Sequence, residues 1–259
     1  MNVLIAGETP FVEQVGDLCL AAGHDVTLFL VEDFLSAVES GQMMADAGDV
    51  EIAIEMHNES PDAKQELLLG LSRAMPAGTL VLSTAFPVSA TQAAAWVAPP
   101  ERVVGFGLIP PIGPEGLVEL APALQTSEES MARARDFWEG LGFDPIEVGD
   151  GPGLVRGRVV ACLINEAAGA LMEGVASAAD IDRAMKLGTN YPHGPLEWGD
   201  MIGLDTVLGI MDGLFAEWGD DRYRPSPLLR RMVLAGRLGL KSGRGFYEYT
   251  AATEGDRSG

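Results

Sequence analysis

A chain of 259 residues, 47% hydrophobic and 21% charged, is long enough for one large core or two smaller ones and too apolar to stay disordered. Its 38 acidic and 17 basic residues leave a net charge of −21, which speaks against non-specific binding to nucleic acid or to an anionic membrane, since both need basic patches. No stretch has the run of apolar residues a membrane helix requires, residues 1–11 (MNVLIAGETPF) lack the basic start of a secretory signal, and two distant cysteines, Cys19 and Cys162, suggest neither a disulfide framework nor a metal site. A cytoplasmic protein is expected.

In chain order, residues 3–6 form a short apolar run ending at Gly7. A helical pattern through Val12, Val15, Leu18 and Ala22 stops at Gly23. Residues 26–30, 51–56, 80–82, 103–108 and 146–148 read as further strands, with helical stretches between them at 62–75 and 128–141. The connection 32–49 holds one helix at most, placed over residues 37–48 (AVESGQMMADAG). Strands alternating with helices predict a parallel sheet covered on both faces. Beyond Pro152 the strand signals cease. Helices are predicted over 155–173, over 178–187 with Ser177 as cap and Asp180 in the first turn, and over 195–201, 205–218 and 227–236. The chain therefore divides into an α/β domain over 1–150, an all-helical domain over 151–250 and a polar tail over 251–259.

Only three of the basic residues are lysines, Lys64, Lys186 and Lys241, against fourteen arginines. An acidic, lysine-poor surface suits a salt-adapted cytosol, because carboxylates stay hydrated while salt screens their repulsion. An acidic protein encoded by a GC-rich genome would share this composition.

The stretch AADIDRAMKLGTNYPHGPLEWGDMIGLD, and the later RPSPLLRRMV and GRLGLKSGRGFYEY, resemble the C-terminal domain of the 3-hydroxyacyl-CoA dehydrogenases. The first half aligns too, from VLIAGETPF through VVGFGLIPPIGPEGLVEL. The resemblance, closest to the 3-hydroxybutyryl-CoA dehydrogenase type, implies a Rossmann-like domain followed by a helical dimerisation domain. In that family NAD accepts a hydride from the 3-hydroxyl carbon of an acyl-CoA. By family position Gly7, Glu59, Lys64 and Lys241 are candidate cofactor contacts. Glu119 stands where the acid of the family's His–Glu dyad belongs.

Several positions depart from the family pattern. A dinucleotide loop needs glycines spaced GxGxxG, and here residues 7–12 read Gly-Glu-Thr-Pro-Phe-Val. The acid that ends the second strand and holds the ribose is replaced by Leu30, with Glu32 two residues on. The helical pair that reaches for CoA is missing, and residues 31–60 contain neither Lys nor Arg. Within GxHFFNP the dyad His is Gly107 and the Asn is Pro110, Phe86 replaces a Ser that polarises the substrate oxygen, and Gly157 replaces the Asn of PGFxxNR. Without a cationic partner Glu119 is expected to have a raised pKa if desolvated. Of the three histidines, His24 reads as a turn residue and His57 as a strand end. His193 is the best substitute for the missing base. Glu197 and Asp200 lie near it, at a spacing too loose to assign a metal.

The expected function is a degenerate dehydrogenase, acting as a regulatory or structural partner, as a homodimer through the helical domain or with an active relative. NAD binding is doubtful on this reading. Two alternatives stand beside it: an active NAD-dependent 3-hydroxyacyl-CoA oxidoreductase with an altered site, and a non-redox binder of acyl or small hydrophobic ligands in a cleft lined by Phe86, Phe106 and Leu108.

Overall fold

A computed structural model describes residues 1–43, 47–110, 112–113 and 116–249. The polar tail, Pro111 and residues 44–46 of the helix expected in the second connection lie outside the described residues. The chain forms two compact units, residues 1–157 and the residues from 158 onward.

The first unit is a seven-stranded sheet in the order β2-β1-β3-β4-β5-β6-β7. Its strands are β1 (Asn2–Gly7), β2 (Asp25–Leu30), β3 (Ile52–Met56), β4 (Leu80–Thr84), β5 (Val103–Gly107), β6 (Leu117–Pro122) and β7 (Asp144–Glu147). The helices between them are α1 (Phe11–Ala21), α2 (Val31–Glu39), α3 (Pro61–Ala74), α4 (Ala90–Ala95) and α5 (Glu128–Gly140). Side chains alternate across each strand and build one core on each face. Val3, Ile5, Ile54, Leu82 and Phe106 pack with α1 and α5. Leu4, Ala6, Ala53 and Val81 pack with α2, α3 and α4.

Two expectations need correction. Strands β1 to β5 are parallel, but β6 runs antiparallel to β5, and β7 is parallel to β6. Residues 108–116 between β5 and β6 are too few for a crossover helix, so the chain can only fold straight back. In place of one helix over 37–48, α2 follows β2 directly over Val31–Glu39, with Phe34 buried and Glu32 and Asp33 in its first turn, where acids suit the helix dipole, and Gln42 and Met43 are helical again. Helix α2 ends before Gly41, whose φ of +77° leaves the helical region.

The second unit comprises α6 (Arg156–Met172), which begins at the boundary, α7 (Ala178–Thr189), α8 (Pro195–Ile202), α9 (Leu204–Trp218) and α10 (Pro227–Leu234). Ser177 caps α7 by accepting the Asp180 N–H at 3.2 Å, as expected. Two buried carboxylates hold the end of the unit in place. Asp200 accepts the Phe246 and Tyr247 N–H groups, each at 2.9 Å, and the Tyr249 hydroxyl at 3.0 Å. Asp182 accepts the Leu196 and Glu197 N–H groups and the Tyr247 hydroxyl. No described helix is long and apolar enough to cross a membrane.

Candidate active site

The strand order reverses between β1 and β3, and in open α/β sheets ligands sit at the carboxyl ends of the strands flanking such a reversal. Gly7 ends β1 there because a Cβ would lie 2.7 Å from the Met56 carbonyl carbon and oxygen. The loop after it is occupied by its own chain. The Glu8 carbonyl accepts the Phe11 and Val12 N–H groups at 3.1 and 3.2 Å, and Pro10 offers no N–H. The Glu8 carboxylate accepts the N–H of Asn58, just past β3. On the other flank β2 ends at exposed Leu30, and Glu32 lies in the first turn of α2. These residues do not fit the pyrophosphate and ribose of NAD: the loop has few N–H groups to offer, and a carboxylate stands among them.

Beside this crevice lies a buried polar network. Glu55, on β3, and Lys64, on α3, are both fully buried and paired with each other. Lys64 Nζ also donates to Thr84 Oγ1 at 2.9 Å and to the His57 carbonyl at 3.2 Å. Ser83 donates to Glu55 at 2.6 Å, and Thr84 donates to Asn58 Oδ1 at 2.6 Å. Burial pulls the Lys64 ammonium below its ordinary range, opposed by Glu55. By family position Lys64 is a candidate cofactor contact. It is not exposed, and its Nζ is turned inward. Glu59 is exposed, next to Ser60, the cap of α3. Sequence reasoning missed Glu55, Asn58, Ser83 and Thr84. The available signal was a glutamate inside the apolar run IAIEM, which can be buried only against a cation such as the lysine nine positions on.

The dyad position lies on the other side of the sheet's centre. Gly107 of β5 pairs with Glu119 of β6, so a Cβ at 107 would sit 3.2 Å from Glu119 Oε2. The same Cβ would meet Leu154 Cδ1 at 3.1 Å and Phe86 Cε1 at 3.4 Å. Phe86, just past β4, is buried, and so is Leu154. Leu154 has a φ of +49°, a left-handed conformation costing roughly 1–2 kcal/mol for a residue with a Cβ. Glu119 is 1% exposed and accepts the Arg156 N–H at 3.0 and 3.2 Å. Burial pushes its carboxyl up, as expected, against the lowering effect of the Arg156 N–H and guanidinium. Among the described residues, Phe86, Phe106 and Leu108 do not line one common face. Residues 106 and 108 point to the opposite face from 107, where Phe106 stacks 5.2 Å from Trp138.

In the second unit, His193 precedes α8, with Nδ1 4.0 Å from Glu197 Oε1 and its ring 6.1 Å from that of Trp198. Glu197 also meets Lys186 at 3.1 Å, and Asp200 is committed to the 246–249 segment. The structure does not gather these into one site. Lys241, in a single turn at Leu240–Ser242, is paired with buried Asp205.

Comparison with known proteins bears on the whole chain. The family described as 3-hydroxyacyl-CoA dehydrogenase, NAD binding domain, matches residues 16–151, and the C-terminal domain of the same family matches residues 153–249. A probable 3-hydroxybutyryl-CoA dehydrogenase of Bacillus subtilis is 42% identical over 223 residues, covering 86% of this chain and 78% of that protein. A 3-hydroxybutyryl-CoA dehydrogenase of Clostridioides difficile is 36% identical over 84% of this chain and 77% of its own length. The crystal structure of (S)-3-hydroxybutyryl-CoA dehydrogenase PaaH1 from Ralstonia eutropha superposes with a TM-score of 0.76 at 32% identity, covering 96% of this chain and 99% of that one.

Proposed function

The chain belongs to the 3-hydroxyacyl-CoA dehydrogenase family, and from that premise we propose that it is a member without hydride-transfer chemistry, serving as a structural or regulatory partner in acyl-CoA metabolism. One observation carries the reading. The residue paired with Glu119 is glycine, and even a Cβ there would already lie 3.1 Å from Leu154 Cδ1 and 3.4 Å from Phe86 Cε1.

Dehydrogenation of a 3-hydroxyl needs a base to take the hydroxyl proton as the hydride leaves. NAD, the family's cofactor, is what supplies the hydride acceptor when bound. Glu119 is left with backbone and guanidinium neighbours and no imidazole to orient. Loss of the base costs on the order of 10²–10⁴ in rate. Loss of donors to the substrate oxygen costs on the order of 10²–10³, though the two need not multiply. NAD and NADP reduction with 3-hydroxybutyryl-CoA should therefore be undetectable. Saturable turnover by the unaltered protein would refute the proposal.

A second reading, an active oxidoreductase with an altered site, is favoured by the 42% identity to a probable dehydrogenase. The same assay decides it, and His193 and Glu119 would then be the first residues to mutate.

The partner role implies self-association through the helical unit or pairing with an active relative. Most apolar side chains of α9 are used internally: Val207, Ile210, Met211 and Leu214 are buried. The surface available for a partner comes instead from Val159, Val175, Leu187 and Leu234, which are exposed. Light scattering should give a mass well above 27.4 kDa at micromolar concentration. A monomer mass alone and in mixtures with an active relative would defeat the partner role.

A further inference from the structure

The crevice between β1 and β3 contains the parts of an anion site, with a carboxylate of the chain itself already bonded to one of them. Asn58 is fully buried, and its backbone N–H points to the Glu8 carboxylate. Its side-chain Nδ2 is buried and has no acceptor among the described residues. His57 is 8% exposed; its Nε2 accepts the Ser60 N–H at 3.2 Å, and its Nδ1 lies 3.5 Å from Glu8 Oε1. A neutral imidazole that accepts at Nε2 carries its proton on Nδ1, so this nitrogen presents a donor to the carboxylate. Two donors from the end of β3 thus converge on one acidic side chain from the end of β1. In open α/β sheets this is the place where an external ligand's anionic group sits.

We propose that the Glu8 carboxylate is the built-in occupant of an anion seat formed by the Asn58 N–H and the His57 imidazole, and that it turns phosphate-bearing ligands away from the crevice. Two physical effects act together. The Asn58 N–H is already taken by Glu8, so an incoming phosphate gains no new hydrogen bond from it. The phosphate would also stand within a few ångströms of a fixed negative charge, reinforced by Glu59, whose carboxylate oxygen lies within 4.8 Å of Glu8's. The corollary is that the seat survives beneath its occupant. Removing the side chain strands a buried N–H, and a small anion from solution can restore the lost bond. This inference stands apart from the missing dyad, because it concerns the crevice at β1 and β3 and invokes no chemistry at Gly107 or Glu119.

The test uses the full-length protein at fixed ionic strength set with KCl, with sodium acetate and inorganic pyrophosphate as probes. Wild-type melting temperature should respond to neither probe beyond the KCl control. Glu8→Ala should melt lower, by on the order of 4 °C for a chain of this size, and acetate should recover part of that loss. Pyrophosphate, titrated calorimetrically, should bind Glu8→Ala at least about tenfold more tightly than wild type. Glu8→Gln keeps the shape and removes the charge. It should fold like wild type and bind pyrophosphate more tightly than wild type, which keeps the test informative if Glu8→Ala does not fold. The proposal is overturned if wild type binds pyrophosphate as well as either variant does, or if acetate stabilises wild type and Glu8→Ala equally. Neither probe is a dehydrogenase substrate, so a negative result here leaves the reading of the dyad untouched.

Discussion

At position 107 one missing side chain has consequences for several neighbours. Restoring it alone should fail: a histidine there starts 3.1 Å from Leu154 Cδ1 and 3.4 Å from Phe86 Cε1, and forcing atoms into a packed site typically costs about 1–3 kcal/mol. Gly107→His is expected to lower the melting temperature and to show no NAD reduction with 3-hydroxybutyryl-CoA; measurable turnover would mean that the packing yields. Glu119 gives a second residue-scale prediction. Burial raises its carboxyl in the folded state. A group raised on folding stabilises only where it is protonated, below its unfolded value of about 4.3, and that contribution is lost as pH rises through the higher folded value. Glu119→Gln should therefore be more stable than wild type at pH 7, with the advantage shrinking as pH falls toward 4. Equal denaturant midpoints at both pH values would contradict this.

At the scale of elements, β3 and α3 are joined through charge as well as through apolar contact. Leu67, Leu68 and Leu71 of α3 pack on the sheet, while Lys64 meets Glu55 in full burial. Replacing a well-bonded buried pair by apolar residues can be close to neutral, but removing one partner leaves an uncompensated charge and costs about 3–5 kcal/mol. Lys64→Ala should thus destabilise severely, and the double variant Lys64→Met with Glu55→Leu should recover much of the loss. Chemical denaturation of the two variants checks this, and a double variant no better than the single one would show that the network's hydrogen bonds to Ser83, Thr84 and His57 matter more than its charges.

At the scale of the whole molecule the dominant quantity is a net charge of −21. Self-repulsion of that size weakens the folded state at low ionic strength, and screening relieves it, since the Debye length falls from about 10 Å at 0.1 M salt to about 3 Å at 1 M. The melting temperature should rise between dilute buffer and about molar KCl. A flat or falling trend would mean that the acidic side chains are spaced widely enough to ignore one another, and it would remove the salt-adapted reading of the composition.

Periodicity and caps act over a few residues, so the sequence by itself determined the alternation of strands and helices in the first half, the helical second half, the Ser177 cap on α7 and the family. It also showed that the position twelve residues before Glu119 holds no imidazole, because a residue's identity needs no structure to read. The direction of β6, the inward turn of Lys64 toward Glu55, the separation of Phe86 from Phe106 onto opposite faces and the reach of Glu8 to Asn58 were decided only by the tertiary structure. Each depends on groups brought together across the sheet, and the Glu8–Asn58 bond joins residues fifty positions apart. Such a bond depends on strand order and register, which set the distance between two side chains and which no local pattern along the chain records.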